Sequence, residues 1–276
     1  MRRRKSSWPV LSKLLAGLLC VATWSGCGDG KPQADPKTRR LRGLSRLLSQ
    51  GTMVERRRAA RALGALGDPR AVPPLATALE DASPAVRMTA ADALVGFGPK
   101  AREPLLAALA GKEPTAREAA AYGLGRLRCA AAADVLIEAT AFHRDEYAGQ
   151  FIRAAAARAL GPIGDRKAIA ALAACTKDGE NGEVRRAAAS ALGTLRDPRS
   201  VEPLKELIRT ESGRLERLLA ELADQGKLTQ EGRMVRGKPM TNREKGAILT
   251  HRSVRSAAEI ALEKLAAPAA TTRAGR

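Results

Sequence analysis

The sequence predicts an all-α fold, an α-α superhelix of about six stacked helix pairs, and three observations predict it. One motif recurs at intervals of 30–36 residues through most of the chain. Hydrophobic residues make up 45% of the chain and aromatics only 3%, a mix that suits many thin helix–helix contacts better than one thick core. Val, Ile, Tyr, Phe and Trp are too sparse and scattered for a sheet.

The N-terminus reads as an address. Residues 2–5 are Arg-Arg-Arg-Lys, residues 14–24 (LLAGLLCVATW) are an uncharged, mostly apolar run of 11, and Ser25, Gly26 and Cys27 follow. A basic start, a short apolar run and small residues before a cut make a secretory signal peptide over residues 1–26. The run is well short of the ~20 residues that span a bilayer. Ser25-Gly26-Cys27 resembles the end of a bacterial lipobox, which implies cleavage before Cys27 and lipid on its sulfur. Trp24 departs from the Leu-like residue usual there, so ordinary cleavage and an uncleaved anchor helix stay open as alternatives. Two acyl chains plus an N-acyl chain would anchor the protein stably. By the same resemblance, Gly28 in place of Asp points toward the outer membrane. The expected location is therefore the cell envelope, exported and lipid-anchored, at the outer membrane or its periplasmic face.

Residues 27–40 are polar, with Gly, Pro and mixed charge, and are expected to be a flexible tether. The body, residues 41–265, is the repeat. Its motif is an apolar residue, Arg, two variable residues, Ala-rich positions, then Leu-Gly-x-Leu. It appears as ERRRAARALGALG (55–67), VRMTAADALVGFG (86–98), AREAAAYGLGRLR (116–128), IRAAAARALGPIG (152–164), VRRAAASALGTLR (184–196) and VRSAAEIALEKLA (254–266). The aligned arginines are Arg56, Arg87, Arg117, Arg153, Arg185 and Arg255, at spacings of 31, 30, 36, 32 and 70. Val86, Ala90, Ala93, Leu94 and Phe97 form one helical stripe, and Ala on it lets neighbouring helices come close. Gly at or near the segment ends suits a helix stop, and Asp68-Pro69 and Asp197-Pro198 lead into the next helix.

A second helix set alternates with the first: 41–50, 71–81, 101–111, 131–142, 167–175 and 200–209. Pro73, Pro74, Pro104 and Pro203 sit early in these, where first-turn N–H groups have no intrahelical partner. Pro74 is the deepest and predicts a kink. Four exposed-looking arginines, Arg56, Arg57, Arg58 and Arg61, crowd the first unit as in a solvated cap.

This arrangement resembles HEAT repeats, in the short form of the phycobilin-lyase HEAT-like group, over residues 41–265. The resemblance implies that Asp81 and Arg87 brace the turn and the neighbouring repeat. The other units keep the Arg without a clean Asp, so the ladder is expected to be incomplete. The arginines are read mainly as internal braces; a groove for acidic ligands is the other reading.

Two irregularities break the period. A short insertion falls near His143-Arg144-Asp145-Glu146-Tyr147, and a larger one spans about 210–250. Within the latter, residues 213–228 read as an extra amphipathic helix ending at Gly226. The candidate partner-binding loop that follows carries Lys227, Arg233, Arg236, Lys238, Arg243 and Lys245, with only two Glu between 225 and 245. A solvated loop shielding the last repeat is the alternative. The tail 266–276 is expected to be disordered.

The formal charge is +19; five cations lie in residues 1–26, leaving +14, which favours anionic partners without choosing among them. Catalytic chemistry is missing. His143 and His251 stand far apart, neither has metal-ligand spacing, and a surface position is expected for each. Deoxyhypusine hydroxylase shares the repeat but needs several His-Glu pairs for iron, and none is here. Cys129 and Cys175 lie in different units among Ala, like small buried hydrophobes. No phosphate loop, G-x-S-x-G or C-x-x-C occurs.

The expectation is thus a monomeric, non-catalytic scaffold without cofactor or metal. It would bind a protein or peptide, preferably acidic, and reach the membrane through lipid at Cys27. A nucleic-acid module is disfavoured, because aromatics for base stacking are sparse and the chain is exported. It would return if the signal peptide were misread. A lyase or chaperone attaching a cofactor rests on shared structural repeats, which do not carry an activity.

Overall fold

A computed structural model of the chain describes residues 35–141, 147–178, 181–229, 234–235 and 239–266. The signal segment with Cys27, the insertion at 143–146, loop residues Arg233, Arg236 and Lys238, and the tail from 267 lie outside the described residues. No helix among the described residues is long and apolar enough to cross a membrane.

The chain divides into two compact units, residues 1–42 and 43–276. In the first, residues 35–42 open helix α1 (Pro36–Gln50). The Asp35 carboxylate accepts from the Thr38 N–H at 2.9 Å, and Pro36 fills a first-turn position that needs no donor. The helix therefore starts inside the stretch expected as tether. Asp35-Pro36 is a third copy of the start signal at Asp68-Pro69 and Asp197-Pro198.

In the second unit α1 runs on and is followed by α2 (Met53–Leu66), α3 (Val72–Thr77), α4 (Pro84–Val95), α5 (Arg102–Ala110) and α6 (Pro114–Arg126). Then come α7 (Ala133–Ala139), α8 (Tyr147–Ile163), α9 (Ala168–Thr176), α10 (Gly182–Leu195), α11 (Val201–Asp224) and α12 (Asn242–Ala266). The fold is all-α, and its one β feature among the described residues is an isolated antiparallel bridge between Leu228 and Met234. The even-numbered helices carry the repeated motif, and from α2 to α12 each packs against the next; from α3 onward each odd-numbered helix packs against the even-numbered one after it. Leu75, Leu94, Leu105, Leu124, Leu136, Leu160 and Leu172 are fully buried, at about 1.5–3 kcal/mol each. Pro73 and Pro74 shorten α3 to one and a half turns between two 3₁₀ turns, Pro69–Ala71 and Ala78–Glu80.

Two registers run through the stack when each repeated arginine is counted as zero. Position +11 has positive φ at all five inter-repeat turns: Gly67 (64°), Gly98 (57°), Arg128 (49°), Gly164 (82°) and Arg196 (50°). Glycine takes this conformation freely, whereas an L side chain meets its own carbonyl, at a cost of about 1–2 kcal/mol. Position +8 is the motif glycine in four of the six repeats, and there it is not a helix stop. A Cβ on Gly64 would lie 2.8 Å from Ala93, on Gly125 2.7 Å from Ala159, on Gly161 3.0 Å from Ala191 and on Gly193 2.6 Å from Ala261. Each of those alanines is at +6 of the next repeat, so the glycines set how closely the even-numbered helices approach.

The large irregularity is not an inserted loop with its own helix. The stretch expected as an extra helix continues α11 without a break, because Gly213 is accommodated as an ordinary helical residue. The last helix likewise begins at Asn242, twelve residues before Val254. The sixth pair is thus an elongated hairpin, 24 and 25 residues long. Its outer half has a small core of Leu215, Leu222, Leu228 and Ile248, with Leu218, Leu219, Ala223 and Met240 against it. The shorter irregularity falls between α7 and α8, so both lengthen turns inside a pair and none between pairs.

Candidate functional site

The repeated arginines are mostly committed to the fold. Arg56, Arg153 and Arg185 each reach forward about 25 residues to an acidic side chain at the next turn. Arg56 grips Asp81 through Nε and Nη2 at 2.6 and 2.8 Å and donates to the Gly51 carbonyl. Arg153, almost fully buried, pairs with Asp178 at 2.5 Å and donates to the Thr140 carbonyl. Arg87 and Arg185 donate backward, to the Asp81 and Asp178 carbonyls, both at 2.8 Å. Burial works to raise the Asp81 pKa, but Arg56 and the Ser83 N–H outweigh it and hold it below the usual value. Arg87 has Lys112 at its forward position, and the forward position of Arg117 falls at 142, outside the described residues. Asp178 completes a rung that the sequence pattern hides, since it stands seven residues before its arginine and not six.

The rung at the sixth pair is different. Glu211 is fully buried, with Arg185 and Arg214 both 2.8 Å from its Oε1 and His251 Nδ1 2.7 Å from its Oε2. The Arg185 contact is an ion pair out of line for a hydrogen bond. His251 is therefore a structural partner and not a surface side chain. The motif could not reveal this, because 40 residues separate it from Glu211.

The candidate loop residues divide. Lys227 is half-buried and pairs with Glu244 at 2.5 Å, tying the hairpin tip to the start of α12. Lys227 and the Thr241 N–H hold the Glu244 pKa down. Arg243 and Lys245 are exposed on the first turn of α12. Cys129 and Cys175 are both buried, and the Cys175 thiol donates to the Thr140 carbonyl at 3.9 Å. Among the described residues no group of three or more His, Cys, Asp or Glu could hold a metal.

Between α4, α6 and α8 lies a groove of about 650 Å3, lined by Met88, Tyr122, Arg126, Arg158, Ala155 and Pro162, with Glu118 and Arg128 beside them. Tyr122 donates to Asp92 at 2.8 Å, and Arg126 bonds both Asp92 and the Tyr122 oxygen, with its guanidinium 5.8 Å from the ring centre. Arg158 pairs with Glu183 at 2.8 Å. A second hollow, between α2 and α4, is lined by Arg61, Thr89 and Asp92. In the walls of the larger groove Met88, Glu118, Tyr122, Arg126, Arg158 and Pro162 stand one, five or nine residues after a repeated arginine, positions that the motif leaves variable. Side chains differ from unit to unit on a rigid, periodic frame. That arrangement can read a partner by shape and charge, and it holds no nucleophile beside a base.

The family model for HEAT repeats matches residues 43–113 and 150–223, and that for the PBS lyase HEAT-like repeat matches 116–141. Among solved structures the chain is similar to an engineered protein, at 21% identity over 82% of this chain and 98% of that one, TM-score 0.41. It is similar to a designed armadillo repeat protein, at 18% identity over 82% and 99%, TM-score 0.41. It is also similar to the complex of CpcE and CpcF of phycocyanin lyase from Nostoc sp., at 20% identity over 78% and 94%, TM-score 0.34. None of the curated proteins matches significantly.

Proposed function

The chain belongs to the HEAT-repeat family, and we propose that it is a non-catalytic scaffold, lipid-anchored in the bacterial cell envelope through Cys27, that binds a protein partner along its even-numbered helices. The groove between α4, α6 and α8 carries this reading. Met88, Ala155 and Pro162 offer apolar floor, while Tyr122, Arg126 and Arg158 offer an aromatic edge and cations that recognise acidic side chains. The lipid supplies position, and the repeat supplies a preformed surface that needs no reacting group. The exposed cations Arg243 and Lys245, with the neighbouring loop, form a second contact to the same partner.

Site-specific crosslinking in the native envelope tests the reading. A photoreactive residue at Met88 should trap a discrete protein, and Tyr122→Ala with Arg158→Glu should abolish that product while the melting temperature holds. Trapping that persists in the double variant refutes the groove. Replacing 230–238 with a Gly-Ser linker should weaken the product, and it leaves Lys227, Glu244 and α12 in place. Recovery of the native protein unlipidated, beginning at Met1, refutes the anchor.

A further inference from the structure

The inter-repeat edge of the stack is basic along its whole length, whereas the opposite edge is mixed in charge over its first three turns and basic only at the hairpin loop. The five turns between repeats, 67–71, 96–102, 127–132, 164–167 and 196–200, carry eight cations: Arg70, Lys100, Arg102, Arg128, Arg166, Lys167, Arg196 and Arg199. All eight are exposed. Against them stand three carboxylates, of which Asp68 and Asp197 are buried beneath Arg70 and Arg199 and Asp165 caps the Lys167 N–H. Exposed Glu103, Asp134 and Glu202 lie in the first turns of the helices that follow. At the first three turns of the opposite edge, 51–53, 80–83 and 111–113, Lys112 faces Glu80, Asp81 and Glu113.

Two of the edge cations sit where the fold disfavours them. Arg128 and Arg196 occupy the +11 slot with φ of 49° and 50°, where the other three turns have glycine. Neither side chain makes a hydrogen bond or ion pair among the described residues. The turn at Arg128 is closed by backbone bonds alone, from the Arg128 N–H to the Gly125 carbonyl at 3.1 Å and from the Cys129 N–H to the Leu124 carbonyl at 3.0 Å, so the fold uses the conformation but not the guanidinium. Lys100, Arg102 and Lys167 are likewise unpaired among the described residues.

From this juxtaposition we infer that the inter-repeat edge is a docking face for an anionic phospholipid surface. The inference rests on the lipid anchor in one respect, namely what brings the edge to a bilayer. Eight residues lie between Cys27 and Pro36, a reach of at most about 30 Å. Asp35-Pro36 stands ahead of its helix as Asp68-Pro69 and Asp197-Pro198 stand ahead of theirs. Neighbouring packed helices lie about 8–10 Å apart, so one or two cations per turn make a row at that spacing. A row of that kind matches a plane of headgroups, in which no single anion needs a pocket. Docked by this edge, the molecule keeps the opposite turns, with the elongated hairpin, away from the lipid.

Native lysines report the contact. The full-length lipoprotein is reconstituted in phosphatidylglycerol-containing vesicles and in pure phosphatidylcholine vesicles, and acetylation of each lysine is followed by mass spectrometry. Lys100 and Lys167 should be protected roughly fivefold in the anionic vesicles only, and the protection should fade with salt. Lys112 and Lys177, on the opposite edge, should react equally in both. The variant Arg128→Gly with Arg196→Gly should melt at the same or a higher temperature and lose most of the protection. Protection of all four lysines alike, or of none, overturns the inference, as does equal protection by soluble heparin, which would assign the edge to a polyanion and not to a lipid surface. Flotation with phosphatidylcholine vesicles reads the anchor separately. Protein that fails to float there lacks the lipid, while protection in anionic vesicles still decides the edge.

Discussion

A methyl group added at Gly193 would sit 2.6 Å from the Cα of Ala261, whereas at Gly213 it meets nothing within 4 Å. Both glycines are helical, and alanine favours the helix by about 0.5–1 kcal/mol. Gly213→Ala should therefore stabilise by about that amount, while Gly193→Ala should destabilise by about 1–3 kcal/mol, because the two backbones must part. Thermal melts of the two variants check the sign at each site. Charge adds two further cases. Glu211→Gln leaves buried Arg185 without its counter-ion and should cost about 3–5 kcal/mol; adding Arg185→Met should recover most of it. Asp197 is held down to about 2, first by the Arg199 guanidinium and then by the Arg199 N–H. A depressed carboxylate contributes stability that is whole above its unfolded pKa, about 3.9, and is lost as pH falls through about 2. The gap between wild type and Asp197→Asn should therefore be constant above about pH 4 and close toward pH 2 in acid melts.

The elongated hairpin is the element in which motif reading and structure part. Residues 210–250 break the repeat, and a break in period marks extra chain without saying how it folds. Ser212-Gly213 has the composition of a stop, yet Leu204, Leu207, Leu215 and Leu222 keep a helical stripe across it, and all four are buried. The helix continues because burial on that stripe outweighs the local glycine. The outer half depends on its own small core, so Leu222→Ala should cost about 2–5 kcal/mol there and little elsewhere. Hydrogen exchange should show faster amides in 215–250 with α4 to α10 unchanged; uniform loss of protection would mean that hairpin and stack unfold together.

At the scale of the molecule, a linear stack loses most when an end is cut at a committed interface. A chain ending at Arg196 bares the Gly193 face and leaves Arg185 without Glu211. It should melt well below both the full chain and Glu211→Gln, as calorimetry can show. The same linearity explains what was legible. Helix pairs, their order and the glycine at the first stop follow from composition and spacing, because every unit repeats them. The partners of the arginines do not, since a hydrogen bond 25–40 residues long obeys no local rule. The glycine at +8 was visible in the motif, but its role needs the alanine of the next unit opposite it. The groove was illegible for the contrary reason: its residues are those the motif leaves free.

The forward reach of the arginines also gives the chain a direction in time. Arg153 emerges 25 residues before Asp178, and Arg185 emerges 26 before Glu211. At synthesis rates of about 5–20 residues per second, each guanidinium waits roughly 1–5 s for its counter-charge. Until then the newest pair has a cation with no carboxylate to meet, and it cannot lock. Chain emerging behind it closes the previous rung and opens another. The last rung is closed by the sixth pair alone, and His251, 40 residues beyond Glu211, is the final piece to arrive. A nascent molecule therefore stays open at its growing end until almost the whole chain is made.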